Sequence, residues 1–388
     1  MHNIKIDISF FINFAAIFFI SIGVIFFENP SFFYLLSFLI IIFNYFQKRI
    51  ISKSVLRVFF TIFIILLFSF SGPFFDFKFI LNTLGFIVIS LMISTIIIYE
   101  NKSSKITSAF LNLILLISII CLLYLFFSSN YLYIFKLDFN TAFLKIYENI
   151  GIFKQIQSQL LALTFLYVLY ILKFNKFFKF CFLLSILLLM IGSRSIFFGF
   201  LCLIIIKLFS NKYRFLICLS ILLFHYVFIF YIVDNPFFDL LFQFDPRWGM
   251  QAISIFTSQD YLFGIGYGGW NEYAVTEVGY LLKYSDYLPF WQGYDDSNTY
   301  IPTTLESSLF QMNAEIGMIL TIFMFMFLFK LTLKGIQSND PFLKLFSTFN
   351  TVIIFSSFYE DNLLQPFWYI VFSIYVGIYF KQKLINQK

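Results

Sequence analysis

Two carboxylates and two arginines are the residues of this chain whose types and positions could carry out chemistry. Glu306 and Glu315 lie in PTTLESSLFQMNAEIG, at the start of an apolar stretch that runs to Phe329. Arg194 lies in IGSRSIFFG and Arg247 in FDPRWGM. A carboxylate can take a proton from an attacking hydroxyl, and a guanidinium group can bind phosphate oxygens through paired hydrogen bonds. These side chains therefore predict chemistry on a ligand that carries a diphosphate.

Each of these residues also has a structural interpretation. An arginine at a helix end can extend toward lipid headgroups, and Glu306 can stabilise the N-terminus of the following helix by about 0.3 to 1 kcal/mol. We expect Glu306 to be the catalytic base and Glu315 to pair internally with an arginine or a hydroxyl. If the helix includes Glu306, the helical period of about 100° per residue places the two carboxylates on opposite faces. Ser193 and Ser195, on either side of Arg194, are expected to cap the next helix.

The chain before Glu306 is rich in aromatic residues and glycine. Trp248 and Trp270 are expected to line the path of a glycan, although packing at the membrane interface explains the same aromatic residues. The stretch LFGIGYGGW, residues 262–270, contains the pattern G-x-G-x-x-G. A dinucleotide site is disfavoured, because no strand precedes this pattern and no helix of a βαβ unit follows it. We expect the glycines to allow positive φ, or close approach of a substrate or a neighbouring helix.

No metal ion or other cofactor is predicted. Asp295 and Asp296 are the nearest candidate for a metal site, but two adjacent acids in a polar loop are more often simply solvated. The histidines are His2, at the N-terminus, and His225, within an apolar segment.

The elements that position these residues are predicted to be membrane-spanning helices. Of the 388 residues, 61% are hydrophobic and only 12% are charged, which excludes a water-soluble globule. The apolar segments are too continuous for barrel strands, so a single all-α transmembrane domain over residues 1–388 is expected. We predict twelve spans, at residues 10–27, 31–46, 58–75, 79–99, 106–127, 156–172, 177–193, 195–210, 215–233, 308–329, 345–359 and 363–380.

The basic residues predict the direction of these spans. With both termini in the cytoplasm, 19 of the 26 lysines and arginines lie on the inner side. Two long loops, residues 128–155 and 234–307, then lie outside, together with Arg194, Arg247 and most of the acids. The net charge of +6 is explained by attraction to anionic lipids, and no nucleic-acid partner is expected.

The order of the motifs between residues 190 and 330 resembles the O-antigen polymerase and ligase superfamily. S-R-S at a helix hairpin is followed by P-R-W, by LFGIGYGGW in a long external loop, and by ESSLFQMNAEIG entering the next helix. The resemblance implies a metal-independent, inverting glycosyltransferase of the bacterial inner membrane, with its active site on the periplasmic face. Its partners would be oligosaccharides linked to undecaprenyl diphosphate, membrane lipids and a chain-length-regulating co-polymerase.

The residue at position 306 separates the two branches of this superfamily. Ligases typically carry a histidine in a motif such as H-N-x-Y-L-(x)4-E-x-G. Alignment on A-E-I-G places Glu306 at the histidine and Ser307 at the asparagine, and neither His2 nor His225 can replace that histidine in this alignment. The resemblance therefore implies the polymerase branch.

The predicted activity is transfer of a growing glycan from undecaprenyl diphosphate to the terminal sugar of another lipid-linked repeat unit, in O-antigen and lipopolysaccharide biosynthesis. Arg194 and Arg247 would hold the donor diphosphate, and Glu306 would activate the acceptor hydroxyl. One alternative is a ligase that joins finished glycan to lipid A core or to protein. Another is a flippase without bond chemistry, which is disfavoured because the ionisable residues lie almost entirely in loops and at helix ends.

Overall fold

The computed structural model is helical wherever it describes the chain. The described residues are 8–26, 35, 39, 42, 52–68, 72–127, 139–152, 154–190, 193–233, 247–275, 307–360, 362–363 and 365–386, and these contain no strand. Three of the helices are long and apolar enough to cross a membrane: Ser103–Leu125, Asn211–Tyr231 and Met318–Gly335. The prediction of an all-α fold is confirmed for the described residues, and the three long apolar helices agree with a membrane protein. The count of twelve spans and their direction stay predictions.

The described part of the chain forms fifteen α-helices, numbered here in chain order. They are α1 Ile8–Phe26, α2 Lys53–Leu67, α3 Phe77–Tyr99, α4 Ser103–Phe127, α5 Phe139–Ile150, α6 Lys154–Tyr170, α7 Lys176–Met190, α8 Arg194–Leu208, α9 Asn211–Val233, α10 Arg247–Asp260, α11 Trp270–Val275, α12 Ser308–Ile316, α13 Met318–Thr332, α14 Pro341–Ser356 and α15 Pro366–Ile385. A short 3₁₀ turn, Leu333–Gly335, follows α13.

The predicted segment 308–329 is two helices rather than one. Gly317 separates α12 from α13 with φ 85° and ψ 153°, a backbone conformation that no residue within a helix adopts. The predicted span joined the two, although Gln311, Asn313 and Glu315 lie before Gly317 and an almost continuously apolar run follows it. The helix α12 begins at Ser308. The prediction that Glu306 and Glu315 lie on opposite faces required a helix that includes Glu306, so it does not apply.

The other differences from the predicted spans concern helix ends and the long loops. The predicted span 58–75 begins earlier, at Lys53, and its helix ends at Leu67. The predicted loops 128–155 and 234–307 contain α5, α10 and α11. The predicted span 31–46 lies outside the described residues except at positions 35, 39 and 42.

Residues at the helix starts explain where the last two long helices begin. The Asp340 carboxylate accepts a hydrogen bond from the backbone N–H of Leu343 at 2.8 Å and so caps α14. Proline occupies the first position of both α14 and α15, where the missing N–H costs nothing.

One end of the helix bundle gathers lysines, and we call it the basic end. The Lys381 amine at the end of α15 donates to the backbone oxygen of Glu100 at 2.6 Å and to the Ser103 hydroxyl at 2.7 Å. At the ends of α8 and α6, the Lys207 amine donates to the Tyr170 hydroxyl at 2.9 Å. The helices α8 and α13 run toward this end, and α14 runs away from it.

Candidate functional site

The opposite end of α8 carries the S-R-S motif. Ser193 is the N-cap residue of α8 and Arg194 is its first residue. The serines on either side are buried, at 0% and 1% exposure, whereas Arg194 is exposed. Among the residues that the structure describes, no carboxylate forms an ion pair with Arg194. The backbone of Arg194 is therefore held by its buried neighbours, while its exposed side chain is available to an anion.

The two buried serines bind the carboxylate of Glu360, in the turn between α14 and α15. The Ser195 hydroxyl donates to the Glu360 carboxylate at 2.5 Å, and the Ser193 hydroxyl donates to the same oxygen at 3.4 Å. The prediction that these hydroxyls cap α8 is wrong, because Ser193 makes no side-chain capping hydrogen bond. An ionised carboxylate is a stronger acceptor than a neutral group, so a hydroxyl donates to it in preference.

Close packing of α8 against α14 brings this carboxylate to the serines. A Cβ on Gly199, in the second turn of α8, would overlap the backbone oxygen of Val352 in α14. The two helices therefore approach to a distance that only glycine permits. Two turns beyond Val352 the chain reaches Glu360, level with Ser195.

The start of α12 packs against the same turn. The Ser307 hydroxyl accepts from the Phe310 N–H at 3.4 Å as N-cap, and it donates to the backbone oxygens of Ser357 and Phe358, each at 3.0 Å. The N–H of Leu309 donates to the Ser357 oxygen at 3.1 Å. Backbone groups at the first turn of α12 are thus satisfied by carbonyls at the end of α14.

The N–H of Ser308 connects this helix start to the serine–carboxylate cluster, because it donates to the backbone oxygen of Glu360 at 3.3 Å. Glu306 precedes the cap residue Ser307 in the sequence and lies outside the described residues. Its neighbour in the chain is therefore in direct contact with the turn that carries Glu360.

The helix α10 brings a third N-terminus to this end. Arg247 is its first residue, and Gln251, one turn later on the same face, donates to the backbone oxygen of Phe358 at 3.2 Å. A turn further, the Ser254 hydroxyl donates to the backbone oxygen of Phe310 at 2.6 Å. The Arg247 side chain lies outside the described residues, and its assignment to the diphosphate stays a prediction.

Buried amide and hydroxyl groups fix α10 to α12. The Asn313 amide nitrogen donates to the backbone oxygen and the hydroxyl of Ser254, both at 3.0 Å. The Tyr226 hydroxyl of α9 donates to the Asn313 oxygen at 3.2 Å. All nine residues of α12 are buried, so this helix is held inside the protein rather than in lipid. A short polar helix is stable at this depth only because its polar groups have protein partners.

Glu315 lies at the buried end of α12. It is 1% exposed, and its carboxylate accepts from the side-chain amide of Gln311, one turn earlier, at 3.2 Å. The predicted partner was an arginine or a hydroxyl, whereas this contact is to an amide of the same helix. Because Glu315 lies near the end of α12 that is far from the S-R-S motif, its position agrees with a structural role.

The glycine-rich stretch is a backbone bridge between two parts of the chain. The N–H groups of Ile265 and Gly266 donate to the backbone oxygens of Ala314 and Glu315 at 2.9 and 3.0 Å. On its other side, the Phe74 N–H donates to the Ile265 oxygen at 2.8 Å. The break at the end of α12 leaves carbonyls without helical partners, and this stretch supplies donors for them.

The glycines of this stretch have the predicted structural role. Gly264, Gly266 and Gly268 have φ values of 78°, 112° and 78°. A Cβ on Gly264 would overlap the backbone of Glu315. The prediction that these glycines allow positive φ and close approach of a neighbouring helix is confirmed.

The structure describes the side chain of only one of the two tryptophans that were predicted to line a glycan path. Trp270 is 1% exposed, and its ring centroid lies 5.8 Å from that of Tyr273. An indole so enclosed offers no face to a sugar, so the expectation that Trp270 lines a glycan path is corrected to packing of the glycine-rich stretch. The side chain of Trp248 lies outside the described residues, and its assignment stays a prediction.

His225, in α9, lies next to the cluster in an aromatic enclosure. Its ring centroid is 5.3 Å from those of Phe358 and Tyr359 and 5.5 Å from that of Phe310, and the residue is 5% exposed. Sequence position alone did not indicate that this histidine packs beside the first turn of α12.

Metal ligands are not clustered in the described part of the chain, where no group of three or more His, Cys, Asp or Glu residues could hold an ion. Asp295 and Asp296 lie outside the described residues. The exposed guanidinium of Arg194 suits an anionic ligand better than a cation.

Glu360 is the site residue that sequence reasoning missed. A signal existed, because FYED places two acids between adjacent apolar segments on the side of the membrane predicted for Arg194. Acids at such a turn have no distinctive spacing in the sequence. Only the packing of α8 on α14 shows which of the acids predicted to be external binds the S-R-S motif.

The N-termini of α8, α10 and α12 meet at this end, and each carries the positive pole of a helix dipole. Together with Arg194 they attract negative charge, which Glu360 offsets in part.

The chain matches no protein-family model, no curated protein and no solved structure.

Proposed function

We propose that this protein is a membrane glycosyltransferase of the polymerase type, which transfers a growing glycan from a lipid diphosphate carrier to the terminal sugar of another lipid-linked repeat unit. The observation that carries the proposal is Arg194. Its guanidinium is exposed and has no carboxylate partner among the described residues, at the end of the bundle where three helix N-termini meet. A guanidinium and helix N-termini are groups that bind phosphate.

The reaction needs a stabilised leaving group. As the bond between the anomeric carbon and the phosphate oxygen breaks, the bonding electron pair and a negative charge pass to the lipid diphosphate. Arg194 binds this charge in the proposal, and Arg247, the first residue of α10, is the second arginine. A planar guanidinium binds two phosphate oxygens at once, which a lysine ammonium cannot do.

The reaction also needs a base. Glu306 takes the proton of the acceptor hydroxyl while the oxygen forms a bond to the anomeric carbon on the face opposite the leaving diphosphate, which inverts the configuration. Glu306 is favoured over Glu360 because the Glu360 carboxylate already accepts from Ser195 and Ser193. Glu360 is therefore a positioning residue, which holds the serines on either side of Arg194. The same proposal includes the location of the protein in the bacterial inner membrane, with its active site on the external face.

The test is incubation of the purified full chain with lipid-diphosphate-linked repeat units, in the presence of a metal chelator and without nucleotide. A ladder of glycans on the lipid carrier supports the proposal. Transfer of preformed glycan to lipid A core or protein without a ladder would identify a ligase instead. Movement of lipid-linked oligosaccharide across proteoliposomes, with no new glycosidic bond, would identify a flippase.

A further inference from the structure

A large groove lies between α9 and α13 at the basic end of the bundle. The S-R-S motif lies at the opposite end. The volume of the groove is about 690 Å³, which lies within the range of roughly 300 to 1,000 Å³ typical of ligand sites. Its lining combines apolar side chains with cations: Phe215, Phe323, Met326, Phe327, Leu333, Arg214, Lys330 and Lys334, together with the amides Asn211 and Gln337. The groove is open at its side, since Phe323 is 59% exposed.

The cations and most of the apolar side chains of the groove lie at different positions along the helices. Asn211–Tyr231 and Met318–Gly335, two of the three described helices that are long and apolar enough to cross a membrane, form the two sides of the groove. Arg214, Lys330 and Lys334 lie near the ends of these spans, where the headgroups of a bilayer are expected. Phe323 and Phe327 lie further from the end of their span, toward the expected acyl chains, whereas Phe215 adjoins Arg214. This order of charge and hydrocarbon is the order found in an anionic phospholipid.

The burial of Arg214 is a second, independent observation in favour of an anionic ligand. Arg214 is only 6% exposed, yet the described residues provide it with no carboxylate. Its Nε donates to the backbone oxygen of Phe209 at 3.1 Å. With the Gln337 amide oxygen turned toward it, that oxygen accepts from the two terminal nitrogens at 2.9 and 3.1 Å. These partners are neutral, so a buried positive charge at the edge of a groove remains without a counter-charge, an arrangement that is costly unless an anion binds.

Two lysines, Lys330 of α13 and Lys334 of the 3₁₀ turn that follows it, complete the cationic side. Lys330 and Lys334 are exposed and are one helical turn apart, so they lie on the same face. The Lys334 amine also lies over the ring of Tyr379, 5.9 Å from its centroid, a contact that leaves its charge unneutralised. Basic pockets between membrane helices on the cytoplasmic side are a recurrent mode of anionic lipid recognition.

We propose that the groove between α9 and α13 binds one anionic phospholipid, with its phosphate against Arg214, Lys330 and Lys334 and an acyl chain along the aromatic side chains. The ligand is a resident lipid of the membrane and not the lipid-linked glycan, because the cations lie at the end of the bundle opposite the S-R-S motif. This inference does not depend on the proposed enzyme activity.

The experiment compares lipids on the purified full chain in detergent. Phosphatidylglycerol and phosphatidylcholine with the same acyl chains are added, and bound lipid is counted by native mass spectrometry while thermal unfolding is followed. We expect one phosphatidylglycerol per chain, at lipid concentrations where phosphatidylcholine does not bind, and a higher midpoint of unfolding. Glycerol 1-phosphate and inorganic phosphate, which lack acyl chains, are expected to have no effect.

The variants identify the groove. The double variant Lys330→Gln/Lys334→Gln changes two exposed residues and should fold normally, yet bind phosphatidylglycerol about 30-fold more weakly, since each basic residue near an anionic lipid contributes roughly fivefold. Arg214→Gln should also lose the preference for phosphatidylglycerol. The control is Lys212→Gln, because Lys212 is exposed on the same helix end but does not line the groove.

Three results would overturn the proposal. The first is equal binding of the two lipids. The second is a loss in Lys212→Gln as large as in the double variant, which would indicate general attraction to a charged surface. The third is full stabilisation by glycerol 1-phosphate or inorganic phosphate, which would make the apolar side chains irrelevant.

Discussion

The hydroxyl of Ser195 donates a hydrogen bond of 2.5 Å to the carboxylate of Glu360, which lies 165 residues later in the chain. This bond fastens the first turn of α8 to the turn between α14 and α15. Arg194 lies between Ser195 and Ser193, both of which are buried. The buried serines therefore fix the backbone of Arg194, from which the exposed side chain extends.

Removal of the two serine hydroxyls should have unequal effects on stability. Ser195→Ala deletes a short hydrogen bond to a charged acceptor, which contributes about 1.5 to 3 kcal/mol, and the lower part of that range applies because Glu360 is half-buried. Ser193→Ala deletes a contact of 3.4 Å and should cost much less. Thermal unfolding in detergent measures both. Equal losses, or a larger loss in Ser193→Ala, would contradict the assigned geometry.

Alanine substitutions test the packing of the glycine-rich stretch. A Cβ on Gly269 would overlap the backbone oxygen of Phe74, so Gly269→Ala should destabilise the protein by more than about 2 kcal/mol or prevent folding. Gly85→Ala is the control, because no heavy atom lies within 4 Å of its added Cβ in α3. In that helix alanine should be neutral or stabilising, by up to about 1 kcal/mol. Similar behaviour of the two variants in thermal unfolding would refute the close approach.

Arg194→Lys and Arg194→Gln should leave the stability unchanged and remove glycan transfer. The side chain is exposed and its described surroundings contain no carboxylate partner, so folding does not depend on it. An ammonium keeps the charge but not the planar pair of donors, and a loss of at least about 100-fold in kcat/KM is expected in both variants.

Lys145→Gln is the matched control for Arg194. Lys145 is also predicted to be external, and it pairs with Glu148 at 2.6 Å, in α5. Its loss should change neither stability nor transfer by more than a small factor, because exposed ion pairs contribute little. Full activity of Arg194→Lys would count against binding of the diphosphate by a guanidinium.

Glu306 and Glu360 should differ in the kinetic constant that they control. Glu306→Gln removes the proposed base, so kcat should fall by about 100-fold or more while the unfolding midpoint stays unchanged. Glu360→Gln weakens the hydrogen bonds that hold the S-R-S motif, so we expect lower stability, a raised KM for the lipid-linked donor and a smaller change in kcat. Glu360→Asp should restore part of the KM, because it keeps the charge.

Reversal of this pattern would exchange the two roles. If Glu360→Gln abolished kcat in a folded protein and Glu306→Gln did not, Glu360 would be the base. If neither substitution changed transfer, neither Glu306 nor Glu360 would be the base of the reaction.

Hydrophobic patterning predicted most helices to within a few residues but did not predict the break at Gly317. A span is recognised from hydropathy averaged over about 20 residues, so the polar side chains of α12 were averaged with the apolar run of α13. The structure shows why a break is stable there. The carbonyls of Ala314 and Glu315, which lie beside it, accept from Ile265 and Gly266, some 50 residues earlier. That stretch was recognised as a place of close approach, but its partner was not predicted.

By itself the sequence determined the fold class, since a chain that is 61% hydrophobic can satisfy its backbone in lipid only as helices. It also singled out Arg194, because a cation at a short hairpin between apolar segments is costly unless it has a purpose. Only the tertiary structure decided that Ser193 and Ser195 bind Glu360 and that Trp270 is buried. The physical reason is that hydropathy and helical period are properties of neighbours along the chain, whereas these contacts join residues whose helices meet only after packing.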